Sequence, residues 1–259
     1  MDRRIQQEWA RALRNATGHG PLASLGDLPA SDLDAAYAVQ AINVEAWTSL
    51  GRRVGGRKAA LTTAALRARF GIAEPISGVL FEDMRLADGG VLDPARVNRP
   101  MAEAEIAFVL GADLVDPDIS AEQVVAAIAG VHAAIEIGDS RIAPPPTLAG
   151  IVADNGAAAC FVLADPGATV LELLPEVAVE LAVNGVATAS GLRTAPLGEP
   201  LETAVWLAQA GVRRGLPLRA GDVLLTGSIG PVAPLRRGDH VRVTIDGVGT
   251  CSFTFGEKA

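Results

Sequence analysis

Apolar positions recur at helical spacing in the first part of the chain. Residues 3–16 form one such stretch. In residues 32–50, Leu33, Ala36, Tyr37, Gln40, Ala41, Val44 and Trp47 fall on one helical face. Ser31 is the expected N-cap of that helix and Gly51 its stop. Thr62-Thr63 opens a third helix, which runs to about Phe70 and is closed by Gly71. From about residue 76 the period changes. Short apolar runs separated by Gly, Pro, Asp and Asn predict strands at 78–82, 102–110, 130–137, 158–163, 177–183, 186–190, 222–225, 240–245 and 248–255. Asn184-Gly185 and Asp246-Gly247 are hairpin signals. Two helices interrupt the strands, at about 120–128 and 201–213. The pattern predicts an α+β protein: an N-terminal helical region (1–75) packed on a mixed-strand body (76–259), the two forming one integrated domain.

Composition narrows the function. The 259 residues are 49% hydrophobic and 20% charged, enough for a sizeable core. A net charge of -8 argues against nucleic acid or an anionic membrane surface as the partner. An anionic substrate would then need a local positive centre. Cys160 and Cys251 are isolated in sequence, which fits a reducing cytoplasm better than a disulfide framework. The polar start of the chain is unlike a signal peptide, and no apolar run approaches the ~18 residues of a membrane span.

The run Ala102-Glu103-Ala104-Glu105-Ile106-Ala107-Phe108-Val109-Leu110 is the richest in chemistry. Side chains alternate along a strand, so Glu103 and Glu105 point the same way. Two carboxylates on one buried face repel and lose hydration, and a bound cation relieves both. The competing reading is an edge strand with one wet face. Glu136, inside the apolar segment Ala133-Ala134-Ile135-Glu136-Ile137, favours the cation. Three carboxylates with positions left for water describe a site for a hard divalent ion such as Mg²⁺ or Mn²⁺.

Lysine occurs only at Lys58 and Lys258, with arginine supplying the rest of the positive charge. Lys58 reads either as a surface lysine after a turn or as a cation beside a metal-bound substrate. In the second role it would hold a carboxylate, steady an enolate or, with a lowered pKa, move protons. His19, His132 and His240 form neither a zinc motif nor part of a Ser-His-Asp triad. Gly227-Ser228-Ile229-Gly230-Pro231 lacks the lysine of a phosphate-binding loop and reads as a tight turn. Asp154-Asn155-Gly156 reads as a polar turn or as part of a site.

Taken in order, several segments resemble the 2-keto-4-pentenoate hydratase / 4-oxalocrotonate decarboxylase group of the fumarylacetoacetate hydrolase superfamily. They are Ala36-Tyr37-Ala38-Val39-Gln40, Gly56-Arg57-Lys58-Ala59-Ala60-Leu61-Thr62-Thr63, the Glu103/Glu105 strand, Glu136-Ile137-Gly138-Asp139-Ser140-Arg141-Ile142, Val152-Ala153-Asp154-Asn155 and Leu225-Thr226-Gly227-Ser228. The resemblance implies a mixed β-roll core with N-terminal helices and a Mg²⁺ or Mn²⁺ site at Glu103, Glu105 and Glu136. It also implies Lys58 as the active-site lysine, a homo-oligomer, and a 2-oxo acid or its enol chelated through carboxylate and 2-oxo oxygens. Thr62, Thr63, Ile76 and Ala158 fall where the group contacts substrate.

Departures from the group's pattern leave the reaction open. Ile76 stands where hydratases carry an acid, as is more typical of decarboxylases, and Glu74 lies two residues before it. Gly156-Ala157-Ala158-Ala159 stands where small hydroxyls are usual. The leading expectation is hydration of a 2-hydroxy-2,4-dienoate to a 4-hydroxy-2-oxo acid. The alternatives are decarboxylation of a 2-oxo-enedioate, hydrolysis of an acylpyruvate, and a divergent protein with altered or lost activity.

Overall fold

The computed structural model describes residues 2–26, 28–165, 176–188, 193–196 and 198–257. In chain order the elements are α1 (Arg3–Ala16), α2 (Leu33–Ser49), β1 (Val54–Ala60), α3 (Ala64–Phe70), β2 (Ile76–Phe81), β3 (Arg85–Leu86), β4 (Gly90–Leu92), β5 (Met101–Leu110), α4 (Ala121–Ala127), β6 (Ile128–Gly138) and α5 (Leu148–Ala153). There follow β7 (Ala158–Leu163), β8 (Glu176–Val183), β9 (Val186–Ala187), β10 (Arg193–Pro196), α6 (Gly198–Arg213), β11 (Val223–Leu225), β12 (Ala233–Pro234), β13 (His240–Ile245) and β14 (Gly249–Phe255).

The strands form two sheets. An eight-stranded sheet runs β2-β1-β11-β5-β6-β7-β3, with β12 also on β5; a six-stranded sheet runs β10-β8-β13-β14-β4, with β9 also on β8. Alternation along β5 explains how they meet. Ala104, Ile106, Phe108 and Leu110 face the second sheet and share a core with Val241, Val243 and Phe253. Glu103, Glu105 and Ala107 take the opposite face.

The N-terminal helices pack where their apolar faces predict. Ala10 and Leu13 of α1 and Ala36 and Val39 of α2 share a second core with Val152 of α5 and Ile76 of β2. Within it, the Gln40 amide donates to the carbonyls of Ser77 (3.0 Å) and Val152 (2.9 Å), tying β2 to α5. Asp32, not Ser31, caps α2, through its side chain and the Ala35 N–H. Thr63 and Gly71 cap α3 as expected, Gly71 in the left-handed conformation.

The main difference from the sequence pattern is β1. Two glycines and an Arg-Lys pair give it no apolar alternation. It is nevertheless a central strand, parallel to β11 and antiparallel to β2, so the sheet begins before residue 76. The α5 helix was also not anticipated. Residues 189 and 190 of one expected strand, and Lys258, lie outside the described residues. Among the described residues, no helix is long and apolar enough to cross a membrane.

Candidate active site

Strand register brings the three glutamates together. Glu103 of β5 lies directly opposite Glu136 of β6, and Glu105 follows two residues along on the same face. Like charges in directly opposed positions repel. One oxygen from each of the three lies within 4.8 Å of the others. Glu105 and Glu136 are fully buried and Glu103 is partly so. The Gly227 N–H donates to Glu105 Oε2 at 2.9 Å. Glu105 Oε1 and Glu136 Oε2 are buried with no hydrogen-bond partner. Buried carboxylate oxygens left without a donor are costly unless a cation takes them. An all-oxygen set with orphaned lone pairs therefore fits a hard divalent ion.

Lys58 supplies the protein's own positive charge to this cluster. It sits on β1, opposite Gly78 of β2 and beside Leu225 of β11. Its Nζ lies 2.7 Å from Glu136 Oε1 and donates to the Gly156 carbonyl at 2.9 Å. Burial pulls the Lys58 pKa down, but Glu136, Glu103 and Glu105 more than reverse this, and the group ends above the ordinary lysine value. With no cation on the three glutamates, Lys58 is therefore held as an ammonium. Burial, and then repulsion from Glu136, push Glu103 up to about 7 against a pull from Lys58. Glu105 is raised well above the ordinary carboxylate range, by burial first and then by Glu136 and Glu103.

A cavity of about 450 Å³ begins one peptide away from the cluster, at Gly227. Thr62, Thr63, Arg67, Glu74, Trp206 and Ser228 are among the residues that line it. Gly227 adopts φ +99°, and a Cβ there would come within 2.5 Å of Thr62 Oγ1, so only glycine allows Thr62 this close. Arg67 donates to the Thr62 carbonyl. Glu74, which precedes β2, is exposed and accepts a hydrogen bond from Trp206 Nε1 at 3.1 Å.

Thr62 and Thr63 thus stand on the cavity wall, and two other expected contacts do not. Ile76 is buried in the core between α2, α5 and β2, because the helices cover that end of the strand. Ala158 is buried in a third core with Phe161 and Leu225, and its carbonyl accepts from Arg141. Arg67 and Trp206 were missed from sequence; nothing local to them signals a cavity formed between α3 and α6.

Arg141 was also missed, although it lies in a segment that carried the resemblance; its partner Asp154 belongs to the segment read as a polar turn or as part of a site. They form a buried ion pair at 2.5 Å, and Arg141 donates further to the carbonyls of Asp154 and Ala158. Burial raises the Asp154 pKa, and Arg141 pulls against it. The pair fixes the start of the turn Asn155–Ala157, whose Gly156 carbonyl holds Lys58.

Comparison with known proteins gives consistent relatives. The model of the fumarylacetoacetate (FAA) hydrolase C-terminal family matches residues 73–255. The chain is 40% identical over 250 residues to 2-keto-4-pentenoate hydratase 1 of Dechloromonas aromatica (strain RCB), covering 95% of each chain. It is 34% identical to 2-hydroxyhexa-2,4-dienoate hydratase of Comamonas testosteroni, covering 97% of this chain and 96% of that protein. Among solved structures, 4-oxalocrotonate decarboxylase from Pseudomonas putida G7, complexed with magnesium and adipate, superposes with a TM-score of 0.88 at 28% identity over 98% of each chain.

Proposed function

The chain belongs to the fumarylacetoacetate (FAA) hydrolase C-terminal family, and from that premise we propose that it is a divalent-metal-dependent lyase that hydrates a 2-hydroxy-2,4-dienoate. The observation that carries this is the buried cluster of Glu103, Glu105 and Glu136 beside Lys58, joined through the Gly227 N–H to the wall of a cavity large enough for a small 2-oxo acid. The hydratase names of the relatives that match over nearly the full chain support the reaction.

Glu103, Glu105 and Glu136 would hold Mg²⁺ or Mn²⁺. Such an ion supplies a Lewis acid for the carboxylate and 2-oxo oxygens of the substrate. The chain's own residues do the rest. Lys58 has three N–H donors and spends two on Glu136 and Gly156, leaving one for a substrate oxygen. As an ammonium it favours the enolate over the neutral ketone as electron density moves onto oxygen. The Thr62 and Ser228 hydroxyls line the cavity and can bind water there. The dienol loses its O2 proton and gains one at C5. Water then adds its hydroxyl to C4 and its remaining proton to C3, giving the 4-hydroxy-2-oxo acid.

One observation favours the second reading, decarboxylation of a 2-oxo-enedioate. Arg67 is the one cation on the described cavity wall and could hold a second carboxylate. The likeness to 4-oxalocrotonate decarboxylase points the same way. Incubating the EDTA-stripped and the Mg²⁺-loaded protein with 2-hydroxypenta-2,4-dienoate and with 2-oxohex-3-enedioate, and following product mass and CO₂, separates the two. Turnover that survives EDTA, or full turnover by Lys58→Met, would overturn the metal-and-lysine reading. A homo-oligomer in the cytoplasm belongs to the same proposal. The two free, buried cysteines support the reducing setting, and light scattering reads the assembly.

A further inference from the structure

We propose that Asn155 is a positioning residue for Lys58: its side-chain amide clamps β2 and so presents the Gly156 carbonyl to the lysine ammonium. The inference rests on the reading of Lys58 as the cation that faces substrate.

The clamp is built from both ends of one amide. Val79 N–H donates to Asn155 Oδ1 at 2.7 Å, and Asn155 Nδ2 donates to the Val79 carbonyl at 2.8 Å. A neighbouring strand would satisfy Val79 in the same way, so the side chain takes the place of a missing strand. Asn155 is 1% exposed, so these bonds lie away from bulk solvent.

The clamp holds an unusual backbone. Asn155, Gly156 and Ala157 have φ values of 56°, 64° and 59°, three left-handed residues in succession. Asparagine tolerates this region and alanine does not favour it, so the turn needs fixing from outside. Asn155 fixes it from the β2 side and the Arg141–Asp154 pair from the other. Gly78 completes the fit. A Cβ there would lie 2.3 Å from the Asn155 carbonyl oxygen and 3.3 Å from Lys58 Cδ, so the missing side chain lets turn, strand and lysine meet.

The consequence is an anchor for Lys58 that does not depend on the glutamates. Of its two anchors, Glu136 also belongs to the metal set and its pull on the ammonium weakens once a divalent ion shares it. The Gly156 carbonyl is neutral and stays. Without the clamp, the turn relaxes and Lys58 loses the contact that keeps it aimed while metal and substrate are bound.

The test compares Asn155→Gly, which keeps left-handed freedom and removes the clamp, with Gln40→Leu, which loosens α5 and β2 without touching the turn. In the Mg²⁺-loaded protein, Asn155→Gly is expected to lower kcat about tenfold or more, with KM and the Mg²⁺ dissociation constant within about threefold of the parent. Gln40→Leu is expected to lower the melting temperature and leave kcat unchanged. Because lysine occurs only at positions 58 and 258, ε-¹³C-lysine labelling gives a two-signal NMR readout that needs no turnover. The Lys58 signal should broaden or move toward that of a free lysine in Asn155→Gly and stay put in Gln40→Leu. If Asn155→Gly does not fold, Asn155→Asp keeps the Oδ1 acceptor, sets a carboxylate oxygen in place of the Nδ2 donor against the Val79 carbonyl, and should show the same changes. Parental kcat with an unmoved Lys58 signal, or parallel losses of kcat and Mg²⁺ affinity, would overturn the proposal. Lys58→Met tests the underlying reading separately: if it is inactive while Asn155→Gly is silent, only the clamp fails.

Discussion

The glutamate cluster makes a definite prediction about pH. Glu103 is raised from 4.5 to about 7 in the folded chain, chiefly by burial and by Glu136. At 1.36 kcal/mol per unit, holding it ionised in the metal-free fold costs about 3 kcal/mol. The sign follows from linkage. Below the unfolded value of 4.5 the group is protonated in both states and costs nothing. Between 4.5 and about 7 the unfolded chain ionises while the fold resists, so metal-free stability falls as pH rises; above about 7 the full cost is present. A divalent ion on the cluster removes that cost by pairing with the ionised form. About 2.5 kcal/mol of that cost builds up between pH 5 and pH 8, so at about 2–4 °C per kcal/mol for a chain of this size Mg²⁺ should raise the melting temperature by about 5–10 °C more at pH 8 than at pH 5 through Glu103 alone. Glu105, raised further, adds to it. Below pH 7, Mg²⁺ must displace at least one proton, so its affinity should weaken about tenfold or more per pH unit. Differential scanning fluorimetry of EDTA-stripped protein with and without Mg²⁺, from pH 5 to 8, reads the first effect. Calorimetric titration in two buffers of different ionisation enthalpy counts the protons. A Mg²⁺-induced shift independent of pH, with no proton release, would mean the carboxylates are already ionised in the metal-free fold and would refute the electrostatic reasoning.

Other substitutions follow from the same geometry. Glu105→Gln removes one ligand and one titrating group, and should weaken Mg²⁺ binding by at least roughly tenfold while flattening its pH dependence, both read by calorimetry. Gly227→Ala drives a Cβ to within 2.6 Å of two Thr62 side-chain atoms in a left-handed backbone, and should cost about 1–3 kcal/mol in denaturant unfolding, with weakened Mg²⁺ binding because the Gly227 N–H anchors Glu105. Gln40→Leu leaves the Ser77 and Val152 carbonyls without their donor, and should cost roughly 2–4 kcal/mol in the same assay. Burial pushes Cys160 up to about 11 and Cys251 up to about 12, so neither thiol should react with Ellman's reagent at pH 8 until the chain is unfolded, when both should titrate.

Much of this was legible in the sequence because it is local. Strand alternation alone put Glu103 and Glu105 on one face, and the structure keeps them there. The caps of α3 and the strand of residues 158–163 appear where turn chemistry and apolar runs set them. The scarcity of lysine singled out Lys58. The resemblance supplied a fold of the right class, which the match to the family over residues 73–255 supports.

The remainder depended on contacts that no local pattern encodes. β1 lacks apolar alternation and becomes a central strand because parallel pairing places residues 56–58 beside 223–225. That pairing decides that Lys58 is a buried partner of Glu136 and not a surface lysine. Ile76 and Ala158, expected at the substrate, are packed into cores by the helices covering one end of β2 and by the side chains around Phe161, a placement no local pattern gives. The segment Asp154-Asn155-Gly156 reads from sequence as either a polar turn or part of a site; only the approach of β2 gives Asn155 its two hydrogen bonds to Val79. Side-chain parity is a property of the covalent chain and survives folding unchanged. Which charges meet, and which carbonyl faces the lysine, depends on strand register between residues up to about 170 positions apart, and the tertiary structure alone sets that.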